Sequence, residues 1–147
     1  MDEHAVRAAL QHYFDHSATD ADRAHEIYHD DAVLEFPQSG EGFEGVENFR
    51  EWRRIYPAKV DFEIRRVRGK DALWVVEIML CYNGGPWKYG VDILEFRGEK
   101  VCREMAYSMD AWEAPQWRAR WRAAPPSQPP GEPANDPPGT STTGDTG

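Results

Sequence analysis

Asp92 is the residue of this chain best placed to do chemistry. It stands in a strand-like run, residues 87–96, where a two-residue period puts its side chain on the same face as Leu94 and Phe96. That face should point into a core, and a carboxylate there is costly unless it is hydrogen-bonded, protonated or open to a pocket. Asp92 is therefore either a structural hydrogen-bonder at a solvated strand end or an acid kept neutral in a site. Glu104 is the second candidate. A two-residue turn at Gly98-Glu99 would pair Asp92 with Met105 and put Glu104 on the other face, whereas a turn one residue longer would put Glu104 opposite Asp92. In the second register two carboxylates share one cavity, one of them is pushed up, and an acid/base pair results. Tyr13 and Tyr28 fall on the inner stripes of two helix-like segments. Each is either a packing residue with one satisfied hydroxyl or a donor aimed at a ligand oxygen.

Other spacings carry less. His12 and His16, like His25 and His29, are four apart, a separation that can chelate a metal. No HExxH pattern accompanies them and His25 and His29 fall mostly off the apolar stripe, so solvated helix faces are expected, with no metal site. Cys81 and Cys102 form no CxxC motif and read as small buried hydrophobes. No phosphate-binding glycine loop and no GxSxG elbow occurs, which leaves nucleotide binding and serine hydrolysis without support. Near the end, Trp112, Trp117 and Trp121 are interleaved with Arg118, Arg120 and Arg122. Trp117 and Trp121, four apart on a short helix, could clip against the sheet or a second subunit; a basic-aromatic nucleic-acid site is the rival reading.

Positioning such residues requires a core, and 147 residues suit one domain. The formal charge of −9 argues against nucleic-acid and anionic-membrane partners. No apolar run approaches the roughly 20 residues of a membrane span, and the Met1-Asp2-Glu3-His4 start lacks signal-peptide features. With two cysteines, a cytoplasmic location is expected. Residues 124–147 hold seven Pro, four Gly and six Ser or Thr, and read as a disordered tail or, alternatively, a proline-rich docking segment. The three acids of that tail leave residues 1–123, the expected folded domain, at −6.

Within that domain Val6, Ala9, Leu10, Tyr13 and Phe14 form one helical stripe. Thr19 or Asp20 can cap a short second helix carrying Ala24, Ile27 and Tyr28, ended by Asp30-Asp31. A strand over 32–36 stops at Pro37, and 38–45 reads as a loop or irregular hairpin. A third helix over 46–55 presents Val46, Phe49, Trp52 and Tyr56, with Pro57 closing it. The period then changes to two, predicting strands over 59–68, 73–82, 87–96 and 101–112 with turns at Asn83-Gly84 and Gly98-Glu99. Strand 73–82 is apolar enough to be covered on both faces. This order describes an α+β domain: three N-terminal helices on one face of a strongly curved, mainly antiparallel sheet, with a ligand pocket at the mouth.

Three segments occur in order at suitable spacing: Tyr28-His29-Asp30-Asp31-Ala32-Val33-Leu34-Glu35-Phe36-Pro37, Glu44-Gly45-Val46-Glu47 and Gly90-Val91-Asp92-Ile93-Leu94-Glu95-Phe96. Together they make residues 6–112 resemble the SnoaL-like branch of the nuclear-transport-factor-2-like superfamily, which includes the ketosteroid isomerases. The resemblance implies a cystatin-like cone, a homodimer and cofactor-independent chemistry; the fold hosts isomerases, cyclases, epoxide hydrolases, dehydratases and non-catalytic binders. It matches Tyr13 to the isomerase oxyanion-hole tyrosine, Asp92 to the protonated aspartic acid beside it, and Tyr28 to a supporting tyrosine. Phe36 occupies the position of the general-base aspartate, and Glu104 would fall on a pocket-lining position as a relocated base.

The expected site thus comprises Asp92, Tyr13 and Glu104 in a pocket walled by Tyr28, Phe36, Trp52, Ile78, Leu80 and Phe96, with no cofactor. It would hold a small hydrophobic carbonyl or polyketide-like substrate. The alternatives are a binding module lacking a competent base, and a structural dimer joined through the sheet face of Val91 and Ile93.

Overall fold

The computed structural model describes residues 1–123; the expectation about the tail lies outside these. Helix α1 spans Glu3–His16, starting where the Asp2 carboxylate accepts from the Ala5 amide at 2.8 Å. Helix α2, Ala21–Ala24, is capped in the same way by Asp20. A 3-10 turn follows at His25–Ile27. Strand β1 (Tyr28–Phe36) then runs into β2 (Glu41–Glu44), α3 (Val46–Arg54), β3 (Val60–Lys70), β4 (Leu73–Tyr82), β5 (Trp87–Arg97) and β6 (Lys100–Met109). A second 3-10 turn covers Gln116–Trp121.

The six strands form one sheet in the order β2-β1-β6-β5-β4-β3, with β1–β6 parallel and every other pair antiparallel. This is the helix-on-curved-sheet α+β architecture that the hydrophobic periods predict. Two local expectations change. Tyr28 begins β1 instead of riding on the second helix, because pairing with Val101 of β6 draws it into the sheet. Strand β4 is covered on both faces only over 78–81, while Leu73 and Val75 at its other end are exposed on the outer face.

The core lies between the inner sheet face and the helices. Val6, Leu34, Phe49, Val76 and Val101 have no solvent exposure, and Leu10, Ile27, Trp74 and Phe96 pack into the same cluster. Curvature comes partly from bulges, which bend a strand and increase its twist. One separates Ile64 from Arg66 in β3, and another falls at Glu95/Phe96 against β6. Gly90 faces the same interior: a Cβ added there would come within 2.8 Å of the Ile78 side chain, so a glycine lets β4 and β5 pack closely at this point.

Candidate functional site

The open end of the curved sheet holds a cavity of about 1090 Å³. Ile78, Leu80, Leu94 and Ala106 of the central strands form its floor, and Phe36, Phe43, Trp52, Tyr56 and Tyr82 form an aromatic wall. Neighbouring rings along that wall lie 5.4 to 6.4 Å apart, the separation of favourable edge and offset contacts. The Trp52 indole Nε1–H is buried without a hydrogen-bond partner among the described residues.

The register of β5 against β6 decides the position of Glu104. The hairpin has the two-residue turn, with Arg97 paired to Lys100, but Cys102 is an extra residue in β6 between Val101, opposite Phe96, and Arg103, opposite Glu95. This one-residue bulge reverses the alternation and brings Glu104 onto the inner face, opposite Leu94 and diagonal to Asp92, which pairs with Ala106. The observed arrangement therefore combines the short turn with the face expected of the longer one. Cys102 is only partly buried; Cys81 is the buried thiol.

The two carboxylates have different surroundings. Glu104 is 6% exposed. Its Oε2 accepts a 2.5 Å hydrogen bond from the Tyr28 hydroxyl and lies 3.9 Å from the Arg53 guanidinium. Asp92 has no hydrogen bond to another described residue and faces the cavity. Burial, reinforced by the charge of Glu104 and only partly opposed by Arg53, holds the Asp92 carboxyl well above the usual carboxylate range. In its protonated form this carboxyl can donate a hydrogen bond into the cavity. Tyr13 reaches the same space from α1, and burial followed by the nearby carboxylates raises its hydroxyl above 10.0 against the lowering effect of Arg53.

Sequence reasoning missed two members of this cluster. Arg53 lies on the same helical stripe as Val46 and Phe49, a spacing that could have flagged it, and its guanidinium carbon stands 5.2 to 5.7 Å from the ring centroids of Tyr13, Tyr28, Phe49 and Trp52. Burial alone would weaken its charge, but Tyr13, Tyr28 and Glu104 more than offset this and raise it. His25, expected on a solvated face, is 5% exposed; the helix turns tighter there, which rolls the ring inward beneath Tyr13 and Phe49. Its Nδ1 lies 2.7 Å from the Ala21 carbonyl.

Of the expected site residues, Asp92, Tyr13, Glu104, Tyr28, Phe36, Trp52, Ile78 and Leu80 all border this cavity. Phe96 does not: two steps beyond Leu94 it is on the right face but packs into the closed end of the core. Trp112, Trp117 and Trp121 do not clip against the sheet, since all three are exposed by 66% or more. Among the described residues no group of three or more potential metal ligands comes together, and no helix is long and apolar enough to cross a membrane.

Residues 5–104 match the family model for the SnoaL-like domain. The chain belongs to that family. Solved structures agree. A nuclear-transport-factor-2-like protein of unknown function from Burkholderia xenovorans LB400 is 41% identical, with a TM-score of 0.74 over 84% of this chain and 98% of its own. A protein from Kribbella flavida DSM 17836 proposed to be a ketosteroid isomerase is 22% identical, with a TM-score of 0.72 over 85% and 93%. An epoxide hydrolase of the LEH-like type from M. tuberculosis is 16% identical, with a TM-score of 0.59 over 71% and 82%. The last two share the fold with this SnoaL-like domain. A comparison with curated proteins finds no significant match.

Proposed function

We propose that this SnoaL-like protein binds a small, largely hydrophobic molecule bearing an acceptor oxygen, and that it carries out cofactor-independent acid/base chemistry on it. The observation that supports this most is Asp92: a carboxyl whose protonated form burial favours, on the cavity wall with no hydrogen-bond partner among the described residues and in the same pocket as Tyr13. Two such donors suit a carbonyl oxygen that gains negative charge during reaction. Glu104 is the candidate base in place of Phe36. It would take a proton from the carbon next to the carbonyl and return it to another carbon while Asp92 and Tyr13 hold the oxygen, so that the molecule is isomerised with no atom lost. Fold neighbours that bear isomerase and epoxide-hydrolase names fit this reading, because both reactions pair a stabilised oxygen with a moving proton.

A second reading is a non-catalytic binder, favoured by one observation: Glu104 is already engaged by Tyr28 and Arg53. Native mass spectrometry of the purified protein tests ligand binding, the expected result being a bound species of a few hundred daltons that denaturation releases. With that ligand in hand, Glu104→Gln should abolish turnover in an enzyme and leave a binder unaffected. The reading also includes a homodimer formed through the outer sheet face, where Leu73, Val75 and Tyr89 are exposed, and a cytoplasmic folded unit of residues 1–123. Light scattering should give twice the chain mass.

A further inference from the structure

Glu104 and three neighbouring side chains, Tyr28, Arg53 and His25, form a directed hydrogen-bond chain. His25 Nδ1 is 2.7 Å from the Ala21 carbonyl, which can only accept, so Nδ1 carries the proton. Nε2 is then an acceptor, and Arg53, which can only donate, lies 3.3 Å from it through Nη1. The same Nη1 donates to the Tyr28 hydroxyl oxygen at 3.2 Å. That oxygen, already accepting, gives its own proton to Glu104 Oε2. Reversing either link made by Arg53 would set a donor against a donor.

We infer that His25 and Arg53 are positioning residues of this site: neutral His25 locks Arg53, and Arg53 orients the Tyr28 hydroxyl towards the Glu104 carboxyl beside Asp92. The inference rests on the proposed acid/base reading for its purpose, but its geometry stands without a ligand. His25 is the link that can fail. It is faced by Arg50, Arg53 and Arg54 from α3, Tyr13 from α1 and Tyr28 from β1, while Asp22 beside it is engaged with Arg50 and Arg54. A second proton on His25 would remove the acceptor for Arg53 and add a like charge beside three guanidinium groups. In agreement, burial first and Arg53 next lower the imidazole to about 4.

Nitrogen-15 NMR of the whole protein tests this without any variant. The expected result is a single neutral His25 tautomer protonated at Nδ1, persisting from pH 7 to below 5. A His25 protonated at Nε2, or titrating near 6.5 like a free imidazole, overturns the proposal. A second measurement follows the Tyr28 hydroxyl proton, expected as a slowly exchanging resonance well downfield of the amides. His25→Phe, which keeps the ring volume, should abolish that resonance, and His25→Gln, which restores an acceptor, should recover it. Persistence of the resonance in His25→Phe would show that Tyr28 is oriented without His25 and overturn the relay. Absence of any co-purifying ligand would count against the proposed function while leaving these NMR results intact.

Discussion

Phe96 and Asp92 lie on the same face of β5, four residues apart, and experience different environments. Phe96 is enclosed with Val101 and Leu34 at the dry end of the sheet, where neighbouring side chains fill the space. Asp92 borders an open hollow in which Tyr13, Arg53 and Glu104 replace hydrocarbon. The helices contribute to both ends: Val6 of α1 and Phe49 of α3 pack into the core, whereas Tyr13 of α1 and Trp52 and Arg53 of α3 line the hollow. Residues at the closed end should therefore matter to stability alone, and residues at the mouth chiefly to the site.

The sharpest way to break this division is Arg53→Met, which keeps bulk and removes charge. Glu104 then becomes a buried carboxylate without its cation, with an expected loss of about 3–5 kcal/mol in urea unfolding; a loss below about 1 kcal/mol would mean that Glu104 has another route to satisfaction. At the closed end, Leu34→Ala should cost about 2–5 kcal/mol and leave ligand binding unchanged, as measured by denaturation and by native mass spectrometry side by side. Tyr28→Phe, deleting one hydroxyl, should cost about 1–3 kcal/mol because an acceptor is left without its donor.

Two smaller effects depend on pH. Asp92 binds its proton more tightly folded than unfolded, so its contribution to stability falls as pH rises above about 3.9, the unfolded value. Asp92→Asn should remove that decline and match or exceed the wild type by about 1 kcal/mol at pH 7. His25 acts in the opposite direction. It stays neutral in the fold down to about 4, whereas the unfolded imidazole protonates near 6.5. Stability should therefore fall as pH drops through that window, by about 1–2 kcal/mol after solvent screening. Thermal unfolding across pH 4 to 8 measures both slopes.

The fold was legible because its signals are periodic. The stripe from Val6 to Phe14 and the alternation through 87–96 survive in the structure, and strands form over Val60–Lys70 and Lys100–Met109, each with one bulge. The site was legible only in part. Asp92 declared itself by standing in an apolar period, yet Glu104 could not be assigned to a face, since a single extra residue at Cys102 reverses the alternation and nothing about a cysteine announces a bulge. Arg53 escaped notice, and His25 was expected on a solvated face, because charged and polar side chains are usually solvated. Their burial depends on each other and on Tyr28, a tertiary arrangement that helical spacing does not encode.

The account stands on Asp92 carrying its proton. Carbon-13 NMR of the aspartate and glutamate carboxyl groups, with Asp92→Asn used to assign the signal, reads this directly. The expected spectrum at pH 7 shows one protonated aspartic acid, which loses its proton only on further alkalinisation; an Asp92 signal already ionised at pH 7 and titrating near 3.9 would contradict the account.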